Sequence, residues 1–409
     1  MITARTQHKW EFKARFRRHA FGWRSQLPVK RVKEAVSEIR KVARSDKLLG
    51  AEGAVTFLER VSPALEHVDS SSGAIGTAVN NAIEALVEVI AAAPADEKTR
   101  DAWLERLWEA YQEDRMPYIE RLGDHWGELC ASKETASRWA DELIETCRLA
   151  WSPDPNLRGY FQGTTNCLSA LLAAERYVEL LDLLDMDPYP MWHYRRFGVR
   201  ALAAMGQKAE AIRYAEEGRA LSDHPVAIAR ACEDILLSAG QRDEAYERYG
   251  LIANRSGTYL AWFRAVAKKY PQKAPAEILA DLVGLTPGEE GKWFAAAKHV
   301  KLFDEAIALA KSSPCSPQTL TRASRDFAEK NPAFAVEAGM AALRWLAAGY
   351  GYEVTGSDVL DAYSFTMKAA ENHGVREQAQ ERIRALVAQD TRADSFVTGI
   401  LERELGLSP

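Results

Sequence analysis

The chain has 409 residues, 47% hydrophobic and 27% charged, enough to bury a large core in about two or three structural units. No run of about 18 uninterrupted apolar residues occurs, which argues against a membrane span; the best stretch, "ALVEVIAAAPA", is broken by Glu88 and stopped by Pro94. The net charge of −5 hides an asymmetry: residues 1–34 carry ten Lys or Arg against Glu11 and Glu34, a balance of +8, leaving −13 for the remainder.

The first element is "KWEFKARFRRHAFGWRS", Lys9 to Ser25, with six Lys or Arg and five Phe or Trp around one Glu11. At about 100° per residue, Phe12, Phe16, His19 and Trp23 share one arc, and Lys9, Lys13, Arg17 and Arg24 flank it. The spacing predicts an amphipathic helix, loosened at Gly22. Residues 1–27 thus form an arm or first helix. Three uses compete: rings docking on the body, cations meeting nucleic-acid phosphates while rings stack on bases, or contact with a membrane surface or acidic protein. No apolar core of a secretory signal is present, and the basic stretch runs on into a helix, unlike a cleaved transit peptide.

"PVKRVKEAVSEIRKVAR" follows, with Val29, Val32, Val36, Ile39 and Ala43 on one face and Pro28 in the first turn. Lys30, Lys33, Lys41 and Arg44 make a cationic ridge on another face. On the nucleic-acid reading this ridge extends a track that begins with Lys9, Lys13, Arg15, Arg17, Arg18, Trp23 and Arg24. Stripes at Leu104, Leu107, Trp108 and Tyr111, and at Trp139, Leu143 and Cys147, complete a helical unit over 28–150. Within it, "GDHWGELC" sets Asp124, His125 and Glu128 close together, where an acid/base pair or a metal competes with plain packing around Trp126 and Leu129.

A soft boundary falls at "WSPDPNLRG", Trp151 to Gly159, before a helical array over 155–409. "LDLLDMDPYPMWHYRR" gathers Tyr189, Trp192, His193, Arg195 and Arg196 where a helix pair begins. These five are the candidate partner contacts, with Trp192 alternatively filling a seam between repeats. The aspartates Asp182, Asp185 and Asp187 lack calcium-loop spacing.

"ALAAMGQKAEAIRYAEEGRAL" and "ILLSAGQRDEAYERYGLIAN" align without gaps, placing Gly206 opposite Gly240, Gln207 opposite Gln241 and Ala211 opposite Ala245. The offset is 34 residues. A small residue lets the first helix turn tightly, and a small alanine lets the second press on the first. "AKHVKLFDEAIALA" and "LLAAERYVELLDLL" are looser echoes. These residues resemble the tetratricopeptide repeat from Arg196 to Gly257, diffusely elsewhere in 155–409. The resemblance implies an irregular all-α solenoid of stacked antiparallel helix pairs, and partner binding as its usual employment. Beyond it, "AAGYGYEVTGSDV" separates two helices, Phe334–Ala348 and Ser357–Asn372, as a capped connection or a projecting loop.

Five scattered cysteines and eight histidines show no ligand or disulfide spacing, and no GxSxG, HExxH or GxGxxG motif occurs. No metal or cofactor is expected, and the thiols read as reduced core residues of a cytoplasmic, bacterial chain. The leading expectation is a non-enzymatic scaffold for a protein or peptide. A nucleic-acid binder led by the basic N-terminus comes second, and an enzyme with a carboxylate site in the solenoid groove third.

Overall fold

The computed structural model describes residues 8–188, 190–217, 224–389 and 396–407. Among them every regular element is a helix. The chain forms two compact units, Met1–Ala239 and Gly240–Pro409. The Trp151–Gly159 segment lies inside the first.

The first unit begins with α1 (Glu11–Arg15), α2 (Gln26–Ser45), α3 (Lys47–Leu65), α4 (Ala74–Ala91) and α5 (Glu97–Gln112). It continues with α6 (Trp126–Cys130), α7 (Lys133–Ala150), α8 (Thr164–Ala173) and α9 (Tyr177–Asp185). The last three are α10 (Trp192–Ala204), α11 (Lys208–Glu217) and α12 (Pro225–Ser238).

The opening stretch corrects one expectation. Only Glu11–Arg15 is helical, and the backbone reverses at His19, in the left-handed region with φ 56°. The reason lies in the rings. A continuous helix would aim Trp10 and Phe21 nearly opposite to Phe12 and Phe16. Breaking it lets all four become buried. Phe12 and Phe16 meet the edge of Phe57 on α3 at 5.7 and 5.0 Å, and Trp10 lies over Gly53, where any added Cβ would overlap the indole. Glu38 of α2 holds the start of α1 by accepting from the Glu11 and Phe12 N–H groups at 2.8 and 3.2 Å. The arm docks on the body.

Helix α2 buries Pro28, Val32, Ala35 and Ile39 against α3 and α4, close to the face the apolar spacing predicts. Helix α4 has the length and apolar composition of a membrane crossing, at mean hydropathy 1.3. Ile75, Val79, Ile83, Leu86 and Ile90 are nonetheless buried within the unit, where α4 packs on α2 and α3. Its last carbonyls are closed by buried Arg100, which donates to Ile90 O at 2.7 Å and Ala93 O at 2.8 Å.

From α8 onward neighbouring helices pair and stack. α8 packs on α9, α10 on α11, and α12 on both α10 and α11. The turn inside the α10–α11 pair is a two-bond motif. Gly206, at φ 81°, donates to Ala203 O, and Gln207 donates to Leu202 O at 2.9 Å. The same two bonds recur at Glu175 and Arg176 between α8 and α9, so the diffuse echo in "LLAAERYVELLDLL" is a structural repeat.

The second unit opens with α13 (Arg242–Ala245), a π turn at Tyr246–Gly250 and α14 (Leu251–Ala253). Then come α15 (Tyr259–Lys269), α16 (Pro275–Leu285), α17 (Phe294–His299), α18 (Phe303–Ser312) and α19 (Pro317–Phe327). It closes with α20 (Pro332–Ala347), α21 (Gly356–His373), α22 (Arg376–Gln389) and α23 (Phe396–Glu404). Each helix lies against its neighbours, α15 on α16 and α17, and α20 on α19, α21 and α22. Lys301–Leu302 and Gly374–Val375 repeat the two-bond turn. Gly240 shares the positive φ, and Ala211, Ala245 and Ala306 are fully buried, as tight pairing requires. The fold is an all-α, tetratricopeptide-like solenoid of stacked helix pairs. The Gly- and Tyr-rich connection ends in a capping box between Thr355 and Asp358.

Candidate functional site

A cleft of about 1080 Å³ opens in the first unit. Three stretches supply most of its lining, beside Tyr111 of α5 and Thr164 and Thr165 of α8. One is the 3₁₀ turn Glu120–His125, which contributes Glu120, Arg121 and Asp124. Another is the irregular segment from Trp151 to Gln162, whose first part, Trp151 to Gly159, was read from sequence as a boundary. The third brings Asp187, Pro188 and Met191 from before α10, and His193, Tyr194 and Arg196 from its start.

The turn Glu120–His125 lies against α8, because Gly123 has no side chain to collide with Thr165 and Asn166. Asn166 is fully buried, and neither atom of its amide finds a partner. Next to it, Thr165 Oγ1 lies 3.0 Å from His193 Nε2. Burial, helped by the Arg196 guanidinium, holds the His193 pKa below its ordinary value, so the imidazole is neutral near pH 7.

Arg196 joins two stretches that stood far apart in sequence. Its guanidinium pairs with Asp124 and donates to His193 O at 2.9 Å. Arg121 approaches the same carboxylate at 3.9 Å and pairs with Glu84 at 3.1 Å. Arg158 donates to the carbonyls of Ser152 and Pro153. Each arginine of the cleft is therefore engaged by protein groups.

Aromatic rings make the wall. Trp151 packs edge-on against Tyr194 at 5.3 Å, and Tyr111 donates from its hydroxyl to Gln162 O at 3.2 Å. Burial is the main reason Tyr194 is pushed up to about 12, and it raises Tyr111 as well; the Glu120 charge adds to both. At the rim, Tyr160 is 80% exposed and Met191 52% exposed. Leu157, in the same irregular segment, is 55% exposed. Apolar side chains therefore stand in water beside the cleft.

Of the candidate partner contacts, His193 and Arg196 line this cleft. Trp192 is buried, and Arg195 stacks over the Tyr214 ring at 3.8 Å and donates to Tyr214 O at 2.6 Å. Tyr189 lies outside the described residues. His125 and Glu128 pair with each other at 3.3 Å, apart from the Arg196–Asp124 contact. Among the described residues no cluster of His, Cys, Asp and Glu could hold a metal ion. Tyr111 was read from sequence only as part of a helical stripe and Trp151 only as the edge of a boundary, while Glu120, Tyr160 and Phe161 were not singled out. The only signal was a pair of aromatic residues, Tyr160 and Phe161, inside a Pro- and Gly-rich stretch.

The basic N-terminal candidates occupy a second surface. Lys9, Lys13, Arg17, Arg18, Trp23 and Arg24 are exposed, and so is the α2 ridge of Lys30, Lys33, Lys41 and Arg44. Arg15 is tied to Glu11 and Glu34, both at 3.1 Å, and Lys30 reaches Glu34 only at 3.9 Å.

No family model and no curated protein matches the chain. Among solved structures, a chain of the APC/C hetero-tetramer Cut9–Hcn1 is 14% identical to this one, with a TM-score of 0.23 over 87% of this chain and 76% of that one. At such a score the assignment of the fold rests on the helix pairing within the chain itself.

Proposed function

We infer that the protein is a binding scaffold whose first-unit cleft receives a segment of a protein or peptide partner. The reading is carried by one observation: an open aromatic cleft bordered by the exposed side chains of Tyr160 and Met191. The engaged arginines and the neutral His193 give this surface a fixed shape. Five buried cysteines, none of them in a disulfide, support a cytoplasmic setting. Panning a random dodecapeptide library on the full chain tests the reading. Recovered peptides should lose at least tenfold in affinity when Tyr160→Ala and Met191→Ala are combined, and none with Leu285→Ala in the second unit. Equal loss in both variants, or none, would remove the cleft as the binding site.

A second reading, nucleic-acid binding by the basic N-terminus, is favoured by the exposure of the Lys33, Lys41 and Arg44 ridge and of Trp23 at 71%. Cations along one exposed helix face suit a phosphate backbone, and an exposed indole suits an unpaired base.

A further inference from the structure

Glu120 differs from the other charged groups of the cleft. Arg121, Asp124, Arg158 and Arg196 all have partners within the protein. Glu120 makes no hydrogen bond or ion pair among the described residues, and it stands among the rings of Tyr111, Tyr160 and Tyr194. Glu120 is an exposed residue at the cleft, its carboxyl only partly desolvated by the walls, and Asp124 and Asp114 repel it, which together raise its pKa. A carboxylate that faces a cleft without a partner and beside other carboxylates is relieved by a cation. Aromatic rings beside it suit the same charge. An anion would be repelled by Glu120, and the Arg121 and Arg196 charges are already paired with Glu84 and Asp124.

We propose that the cleft takes a basic side chain of the bound peptide, its ammonium or guanidinium set against Glu120 and its aliphatic stem against Tyr160 and Tyr194. This rests on the cleft being the peptide site, and it names the residue class read there. Lysine and arginine suit such a place because both carry a long apolar stem below a charged head.

The library selection separates the two claims. Peptides recovered on the full chain should be enriched in Lys or Arg at one position. Replacing that residue by norleucine should weaken binding at least tenfold on the native protein, and less than twofold on Glu120→Gln. Glu120→Gln itself should melt no lower than the native protein, since it removes a group without partners. Recovery without basic enrichment, or a norleucine penalty that persists in Glu120→Gln, overturns the cation assignment. In either case continued sensitivity to Tyr160→Ala with Met191→Ala would leave the cleft standing as the peptide site. Recovery of no peptide overturns both.

Discussion

Lys301 stands where Gly206 stands in its own helix pair, at φ 63° against 81°. A side chain with a Cβ pays steric strain in that region, of roughly 1–2 kcal/mol, partly offset by the flexibility a glycine loses on folding. Lys301→Gly should therefore stabilise the protein by about 0.5–1 kcal/mol, and Gly206→Ala should destabilise it by about 1 kcal/mol, both read by chemical denaturation. No atom lies within 4 Å of a Cβ at Gly206, so the second effect isolates backbone conformation. Asp114 makes a different prediction. It is buried, accepts from Ser62 and from the Ile119 N–H at 2.7 Å, and burial raises its pKa despite those bonds. A carboxyl raised in the folded state keeps its proton longer there than in the unfolded chain. Its contribution thus favours folding at acid pH and declines as pH rises from about 4 through the folded-state pKa. Asp114→Asn should remove that decline, flattening stability against pH in this window, measured by urea melts at stepped pH.

Helix contacts depend on residues too small to be noticed in a hydrophobic pattern. Gly127 of α6 lies against α8, donating to Ser169 Oγ at 3.0 Å, and a Cβ there would overlap the Ser169 carbonyl and the Ala173 methyl. Backbone cannot yield as a flexible side chain does. Gly127→Ala should cost about 1–3 kcal/mol, and, because α8 carries Thr165 into the cleft, it should weaken the peptides selected on the native protein. Gly53 plays the corresponding role for the N-terminal arm. Gly53→Leu should expel the Trp10 indole, red-shifting tryptophan emission and exposing residues 8–24 to trypsin, while α2 stays helical. The apolar spacing announced the face α2 buries. It misread residues 9–24, because periodicity assumes that one helix continues, whereas Phe57 and Gly53 reward a broken chain that docks four rings.

The −5 total charge conceals a basic N-terminal face. If the N-terminal face binds a polyanion, five displaced counterions imply a loss of about 100-fold in affinity for a single strand between 50 and 200 mM salt. Fluorescence anisotropy with a labelled oligonucleotide measures it. Lys33→Glu with Lys41→Glu should abolish that binding and leave peptide selection by the cleft unchanged; salt-independent binding would dismiss the electrostatic reading. The all-helical architecture, the 34-residue spacing around Gly206 and Gly240 and the burial of Ala211 and Ala245 were legible in the chain, since small residues at fixed offsets state a local steric requirement. The turns at Glu175 and Lys301 showed only as looser echoes, because packing imposes a left-handed residue there without asking for glycine. The cleft was legible only in fragments. Asp124 and Arg196 each stood out, but their pairing across the unit, the unpartnered state of Glu120 and the conversion of a Pro-rich boundary into an aromatic wall are long-range outcomes. Short-range pattern expresses what neighbours along the backbone need; which charges find partners, and which are left facing open space, is settled only when distant helices close on one another.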